Sequence, residues 1–117
     1  MHGEYYRVSS HALNLIKRGK QEGKRIIACG TSSVRTLESI FSRNGDFLLE
    51  GYTEMFIYPG YKFKIVDALI TNFHLPRSTP LMLVAAFTGK DNLLRCYREA
   101  IEKNYRFYSY GDAMFVL

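Results

Sequence analysis

The ten residues Thr71-Asn-Phe-His-Leu-Pro-Arg-Ser-Thr-Pro80 gather Asn72, His74, Arg77, Ser78 and Thr79 between a strand-like run and an apolar one. A histidine titrates near neutral pH, so His74 can serve as a proton donor or acceptor. Pro76 turns Leu75 toward extended backbone, which leaves Asn72 to His74 at a strand end. Strand ends that face helix starts are where open α/β folds place their ligands. Thr79 before Pro80 reads as a helix cap followed by proline at the first helical position, where a missing N–H costs nothing. The stretch also has a plain structural account, because no second histidine stands nearby in the sequence.

Three other stretches carry chemistry-bearing residues. Gly30-Thr-Ser-Ser33 joins an apolar strand to an amphipathic helix. Free N–H groups and the positive dipole end of a helix attract carboxylate or phosphate, and Ser32, Ser33 and Arg35 add donors, Arg35 as a planar fork. Neither the GxxxxGK[ST] nor the GxGxxG pattern is present, and by itself a capped helix start is the simpler account of this junction. Tyr58-Pro59-Gly60-Tyr61 is a Pro-Gly turn between two strands. Its flanking tyrosines also present ring faces suited to a planar ligand. Tyr108-Ser109-Tyr110-Gly111-Asp112 ends in a turn, and Asp112 either only turns the chain or binds a hydroxyl or an amine.

The elements that position these residues follow from periodicity and punctuation. Residues 4–8 form a short strand. Ser9-Ser10 caps a helix with Ala12, Leu13 and Ile16 on one face, a basic tail that suits the C-terminal dipole, and Gly23 as a left-handed stop. Residues 25–29 form an apolar strand. A hydroxyl-capped helix follows, striped by Val34, Leu37, Ile40 and Phe41, and Asn44-Gly45 marks a turn. Residues 47–49, 55–58 and 63–70 read as strands, with Asp67 at a bend. Residues 81–87 continue as an apolar helix, and Asp91 caps a last helix whose Leu93, Leu94, Tyr97, Ala100 and Ile101 share a face. A helix feeding a strand is the grammar of α/β proteins. The apolar runs at 26–28 and 113–117 look like central strands in want of neighbours, which points to part of a larger sheet.

Length and composition set the outer bounds. A chain of 117 residues fits one domain, and 47% hydrophobic residues suffice for a packed interior. Sixteen Lys and Arg against eleven Asp and Glu give a net charge of +5, a mild attraction for an anionic partner that equally serves solubility. Tyr5-Tyr6-Arg7, Tyr61-Lys62-Phe63-Lys64 and Tyr105-Arg106-Phe107-Tyr108 interleave aromatic and basic residues. Surfaces that stack bases show such interleaving, and so do strands with one wet face. Cys29 and Cys96 lack metal-ligand spacing, so no zinc site or disulfide framework is implied, and reduced thiols in a cytosolic protein are the simplest account. No apolar run is long enough to span a bilayer, and the N-terminus has no signal-peptide layout.

Taken in order, the segments Gly30-Thr-Ser-Ser-Val-Arg-Thr-Leu-Glu-Ser39, Phe56-Ile-Tyr-Pro-Gly-Tyr61, Thr71-Asn-Phe-His-Leu-Pro76 with Ser78-Thr79, and Tyr105-Arg-Phe107 with Ser109-Tyr-Gly-Asp-Ala-Met114 are similar to those of one family. The chain resembles, essentially end to end, the C-terminal part of the S-adenosylmethionine:tRNA ribosyltransferase-isomerases of the queuosine pathway. Arg77 and Pro80 depart from the family pattern, where lysine and leucine are expected, but keep charge and helix entry. The resemblance implies an α/β fold, here part of a barrel-like domain with a mixed sheet and flanking helices, lacking its N-terminal portion and an inserted β-barrel domain. It implies an enzyme that moves the ribosyl part of S-adenosylmethionine onto the aminomethyl-deazaguanine base at the tRNA wobble position and isomerises it to epoxyqueuosine. S-adenosylmethionine is then a consumed substrate, with no metal or separate cofactor, and the tRNA anticodon region is the partner. A cytoplasmic monomer is expected, and the isolated fragment is expected to be inactive. On the same resemblance His74 is the acid–base group and Asn72 fixes a ligand hydroxyl or base edge. Arg35 with Ser32 and Ser33 holds the methionine carboxylate or an RNA phosphate, Tyr58 and Tyr61 stack a base, and Asp112 binds a ribose hydroxyl or the aminomethyl group. The rival reading is a noncatalytic RNA-binding α/β module.

Overall fold

The computed structural model describes residues 3–43, 47–75 and 78–117. Along these the order is β1 (Glu4–Arg7), α1 (Ser10–Gln21), β2 (Ile27–Cys29), α2 (Thr31–Phe41), β3 (Glu50–Thr53), β4 (Ala68–Asn72), α3 (Thr79–Thr88), α4 (Lys90–Glu102) and β5 (Ala113–Val116). β1 and β3 form an antiparallel pair in which Tyr6 faces Gly51, and β2, β4 and β5 form a mixed sheet in that order. β2 runs parallel to β4 with Ala28 opposite Leu69, and β5 runs antiparallel to it with Val116 opposite Leu69. The expected α/β class with a mixed sheet is therefore present, and the strands described do not close into a barrel.

One face of this sheet, with Ala28, Leu69, Thr71, Met114 and Val116, is buried in the main core among Val34, Phe73, Leu83 and Val84. A smaller cluster of Tyr6, Leu13 and Ile40 lies beneath the β1–β3 pair, and Phe41 packs against both clusters. On the other sheet face Ile27, Ile70 and Phe115 are 49%, 38% and 56% exposed. β2 and β5 each pair on one side only among the described residues, so the runs read as central strands are edges here and still want neighbours.

Several element boundaries differ from expectation because side chains take over backbone hydrogen bonds. Residues 63–67 are not strand: the amides of Lys64, Ile65 and Val66 donate to the Glu38 carboxylate at 2.8, 3.0 and 2.9 Å instead of to a neighbouring strand. Residues 55–58 are not strand either, since the Met55 carbonyl accepts Arg35 Nε and its amide donates to Thr53 Oγ1. The strand expected at 47–49 begins at Glu50, and Phe47 and Leu49 pack on the smaller cluster. Ser9 caps α1 as expected, accepting the Ala12 amide, and Gly23 has a φ of 78°. α2 has no hydroxyl cap: Gly30, at φ 95°, holds the cap position. Ser78 rather than Thr79 precedes α3, and Gly89 rather than Asp91 precedes α4, leaving Asp91 in the first turn where its charge suits the dipole. The turn expected at Asn44-Gly45, and Pro76 with Arg77, lie outside the described residues.

The bend at Asp67 is an electrostatic anchor. Its carboxylate accepts the Ile26 amide at 2.7 Å and the Lys20 ammonium at 2.9 and 3.0 Å, tying α1 and β2 to the entry of β4. Burial pushes this carboxyl up, but the amide and the ammonium outweigh it and hold it below the usual carboxylate range. A depressed folded-state pKa stabilises the fold above the unfolded value of about 3.9 and is lost as pH falls through the folded value. Asp67→Asn is therefore expected to flatten the acid side of the stability–pH curve while costing stability at pH 7, measured by thermal unfolding between pH 3 and 7. An unchanged acid limb would count against the anchor.

Candidate functional site

Parallel pairing fixes where the chemistry gathers. β2 and β4 run in the same direction, so their carboxyl ends lie at one edge of the sheet, and each is followed by a helix that starts there. β5 is antiparallel, so its beginning arrives at the same edge, with Ala113 opposite Asn72. Three of the four stretches singled out in the sequence thus converge: the Gly30–Arg35 junction, Asn72–His74 with Ser78, and Tyr108–Asp112. The Gly30 amide donates to the Ile70 carbonyl at 2.8 Å and stitches the first to the second.

Two hollows open at this edge. The larger, about 380 Å³, lies between the starts of α2 and α3 and is lined by Glu4, Thr31, Ser32, Arg35, Thr79 and Pro80 among others. The smaller, about 180 Å³, is lined by Asn72, His74, Leu75, Ser78, Pro80, Tyr108 and Ser109 with Phe73. Pro80 borders both. Arg35 and His74 therefore stand in adjoining hollows across the first turn of α3, neither in one shared cavity nor on unconnected surfaces.

In the larger hollow the anion-seeking groups already face a carboxylate. Arg35 donates from Nη1 to Glu4 Oε1 at 2.8 Å and from Nε to the Met55 carbonyl at 3.1 Å, and Ser32 Oγ donates to Glu4 Oε2 at 3.0 Å. Arg35 thus joins α2 to β1 and to the segment after β3, while Glu4 remains partly open to the hollow. Ser33 turns away: its hydroxyl donates to the Cys29 carbonyl at 3.0 Å, and the residue borders a separate depression beside Tyr5 and Arg7.

In the smaller hollow His74 is held on two sides. Its backbone amide donates to the Tyr97 hydroxyl at 2.6 Å, and its Nε2 lies 2.9 Å from Thr71 Oγ1. Burial pushes the imidazole below its ordinary pKa, so it is mainly neutral at pH 7. Phe73 beneath it stacks on Phe107 with ring centroids 5.0 Å apart and meets Tyr97 edge-on at 5.2 Å. Asn72 Nδ2 donates to the Asp112 carbonyl at 3.2 Å, leaving its amide oxygen to act as acceptor. Asp112 shapes the wall rather than the hollow: its carboxylate accepts the Arg106 amide at 2.7 Å and its amide donates back to the Arg106 carbonyl. This turn admits only glycine at 111, where a Cβ would stand 2.5 Å from the Arg106 carbonyl oxygen.

The tyrosine pair separates. Gly60 at φ 103° and the Tyr61 N–H to Tyr58 carbonyl bond of 3.0 Å make the expected turn, but it lines neither hollow. Tyr58 is 52% exposed, whereas Tyr61 donates its hydroxyl to Glu38 Oε1 at 2.7 Å, and burial followed by that carboxylate raises its pKa. Sequence reasoning passed over Glu4, Glu38, Thr71 and Tyr97. Glu38 carried a signal, being four residues after Val34 on the apolar stripe of α2, and Tyr97 stood on the recognised face of α4. Among the described residues no group of three or more His, Cys, Asp or Glu is placed to hold a metal, and no helix is long and apolar enough to cross a membrane.

Comparison with known proteins gives a consistent family. The profile of the family described as queuosine biosynthesis protein matches residues 1–116. A curated relative from Clostridioides difficile (strain 630), named S-adenosylmethionine:tRNA ribosyltransferase-isomerase, is 56% identical over 117 residues, covering 99% of this chain and 34% of the relative. One of the same name from Desulfitobacterium hafniense is 55% identical over 118 residues, covering 100% of this chain and 35% of the relative. The crystal structure of S-adenosylmethionine tRNA ribosyltransferase from Thermotoga maritima superposes with a TM-score of 0.88 at 51% identity, over 97% of this chain and 40% of that one. The chain spans about a third of the length of the curated relatives it matches.

Proposed function

The chain belongs to the queuosine biosynthesis protein family, and from that premise we propose that it is the C-terminal portion of the large α/β domain of a tRNA-modifying S-adenosylmethionine:tRNA ribosyltransferase-isomerase. The whole protein moves the ribosyl part of S-adenosylmethionine onto the aminomethyl-deazaguanine base at the wobble position. It then isomerises the sugar to the epoxycyclopentanediol of epoxyqueuosine, releasing adenine and methionine. S-adenosylmethionine is consumed as donor, so no separate cofactor or metal takes part, and the enzyme works on the anticodon region as a cytoplasmic monomer. The fragment alone is inactive, because a cleft shared with the remainder of the chain cannot close without it.

The observation that carries this reading is the convergence of three stretches on one sheet edge over two hollows that meet at Pro80. The reaction must remove a proton beside the sulfonium, neutralise a departing adenine and orient a nucleophilic amine. His74, neutral and half-buried, takes the proton. Asn72 holds a ligand hydroxyl or base edge through its amide oxygen. The amino-acid end of the donor enters the larger hollow, where the first-turn amides of α2 suit a carboxylate and Glu4, held in place by Ser32 and Arg35, suits an ammonium. Ser33 contributes there only through its backbone. Tyr58 offers an exposed ring for base stacking, whereas Tyr61 and Asp112 act by holding the loops that carry the site.

The deciding experiment supplies the full-length protein with ribosyl-labelled S-adenosylmethionine and an anticodon stem-loop carrying the precursor base. Label in the RNA with equal release of adenine and methionine is expected. Tight, steeply salt-dependent RNA binding without label transfer would replace this reading with a noncatalytic RNA-binding module.

A further inference from the structure

We propose that Thr71 is a positioning residue for His74: its hydroxyl accepts the Nε2 proton and so fixes the tautomer whose bare Nδ1 serves the smaller hollow. The inference rests on the acid–base reading of His74 given above. Thr71 lies on the buried face of β4, only 7% exposed, opposite Met114, and its hydroxyl stands 2.9 Å from Nε2. Phe73 packs into the aromatic cluster and the Tyr97 hydroxyl takes the His74 amide, and from that anchored backbone the imidazole reaches back to Thr71. The ring is thereby held at two points, its backbone by α4 and its far nitrogen by β4. Among the described residues Nδ1 has no hydrogen-bond partner, and His74 lines the hollow.

A neutral imidazole carries one proton, and a threonine hydroxyl can either accept that proton or donate to the bare nitrogen; as acceptor, Thr71 keeps it on Nε2. With the proton on Nε2 and shared with Thr71, the lone pair sits on Nδ1, the form able to accept a proton from substrate. A ring released from Thr71 divides between two tautomers and turns more freely, so fewer encounters find the basic nitrogen in place.

The test compares Thr71→Val and Thr71→Ser in the full-length protein. Valine keeps the shape without the hydroxyl. It is expected to lower kcat by about 10- to 100-fold, part of what a positioned acid–base group contributes, with KM within about twofold. Serine restores the hydroxyl and is expected to return kcat to within about threefold of the parent. In protein with ¹⁵N-labelled histidine, the ring signal that disappears in His74→Gln should have its proton on Nε2 in the parent and be a tautomer mixture in Thr71→Val. Parent-like kcat in Thr71→Val, equal losses in the valine and serine variants, or a parent ring protonated on Nδ1 would each overturn the inference. His74→Gln with full turnover would instead overturn the underlying reading of His74.

Discussion

His74→Ala in the full-length protein is expected to lower single-turnover ribosyl transfer by about 10²- to 10⁴-fold, the range a positioned acid–base group supplies. Binding of the anticodon stem-loop should stay within about threefold, because the imidazole lies in a hollow of about 180 Å³ rather than on the open surface. The direction of the pKa shift adds a second signature. Burial moves His74 below the usual histidine value of about 6.5, and a base is active only when unprotonated. The acid limb of kcat/KM should therefore fall below pH 6.5 in the parent and vanish from the residual activity of the variant. A rate equal to that of the parent, or an acid limb that survives the substitution, would remove His74 from the chemistry and leave it as a hollow-lining residue.

That His74 could be singled out at all shows what a linear sequence reveals about this site. Pro76, Thr79 and Pro80 punctuate the chain strongly enough to put residues 72–74 at a strand end, and β4 does end at Asn72. Gly30 and Gly60 stand where the sequence allows tight turns, and both take positive φ. What the sequence left open was which groups a side chain had already satisfied. Arg35 read as an open fork for a substrate anion, yet its partner Glu4 comes from a strand 31 residues away, a pairing no local pattern announces. Asp112 read as a ligand group, yet it closes its own turn on Arg106. Residues 63–67 had strand composition, but composition reports only that a residue suits a half-buried extended backbone, not that a neighbouring strand is present. Here the neighbour is a carboxylate.

That carboxylate should be the most sensitive stability determinant of the chain. Glu38 is fully buried and its two oxygens accept the Tyr61 hydroxyl and three backbone amides. Glu38→Ala would strand the buried amides of Ile65 and Val66 away from water, at about 1–3 kcal/mol for each donor left unpaired, would release the part-buried Lys64 amide, and would open a cavity as well. A loss of about 3–5 kcal/mol is expected, a large part of the net stability of most domains. Glu38→Gln keeps one acceptor but turns its NH₂ toward groups that also donate, so it should recover less than half of that loss. Hydrogen exchange at Lys64, Ile65 and Val66 in the full-length protein isolates the effect from the rest of the molecule. Protection there should collapse in the alanine variant before that of Leu69, whose bonds belong to the sheet. Because residues 61–66 lead directly into β4, slackening them lets the strand that carries Thr71 and Asn72 shift against the start of α2, and ribosyl transfer should fall along with stability. Unaltered protection at 64–66 in Glu38→Ala would mean that the buried carboxylate is not what holds this segment in place.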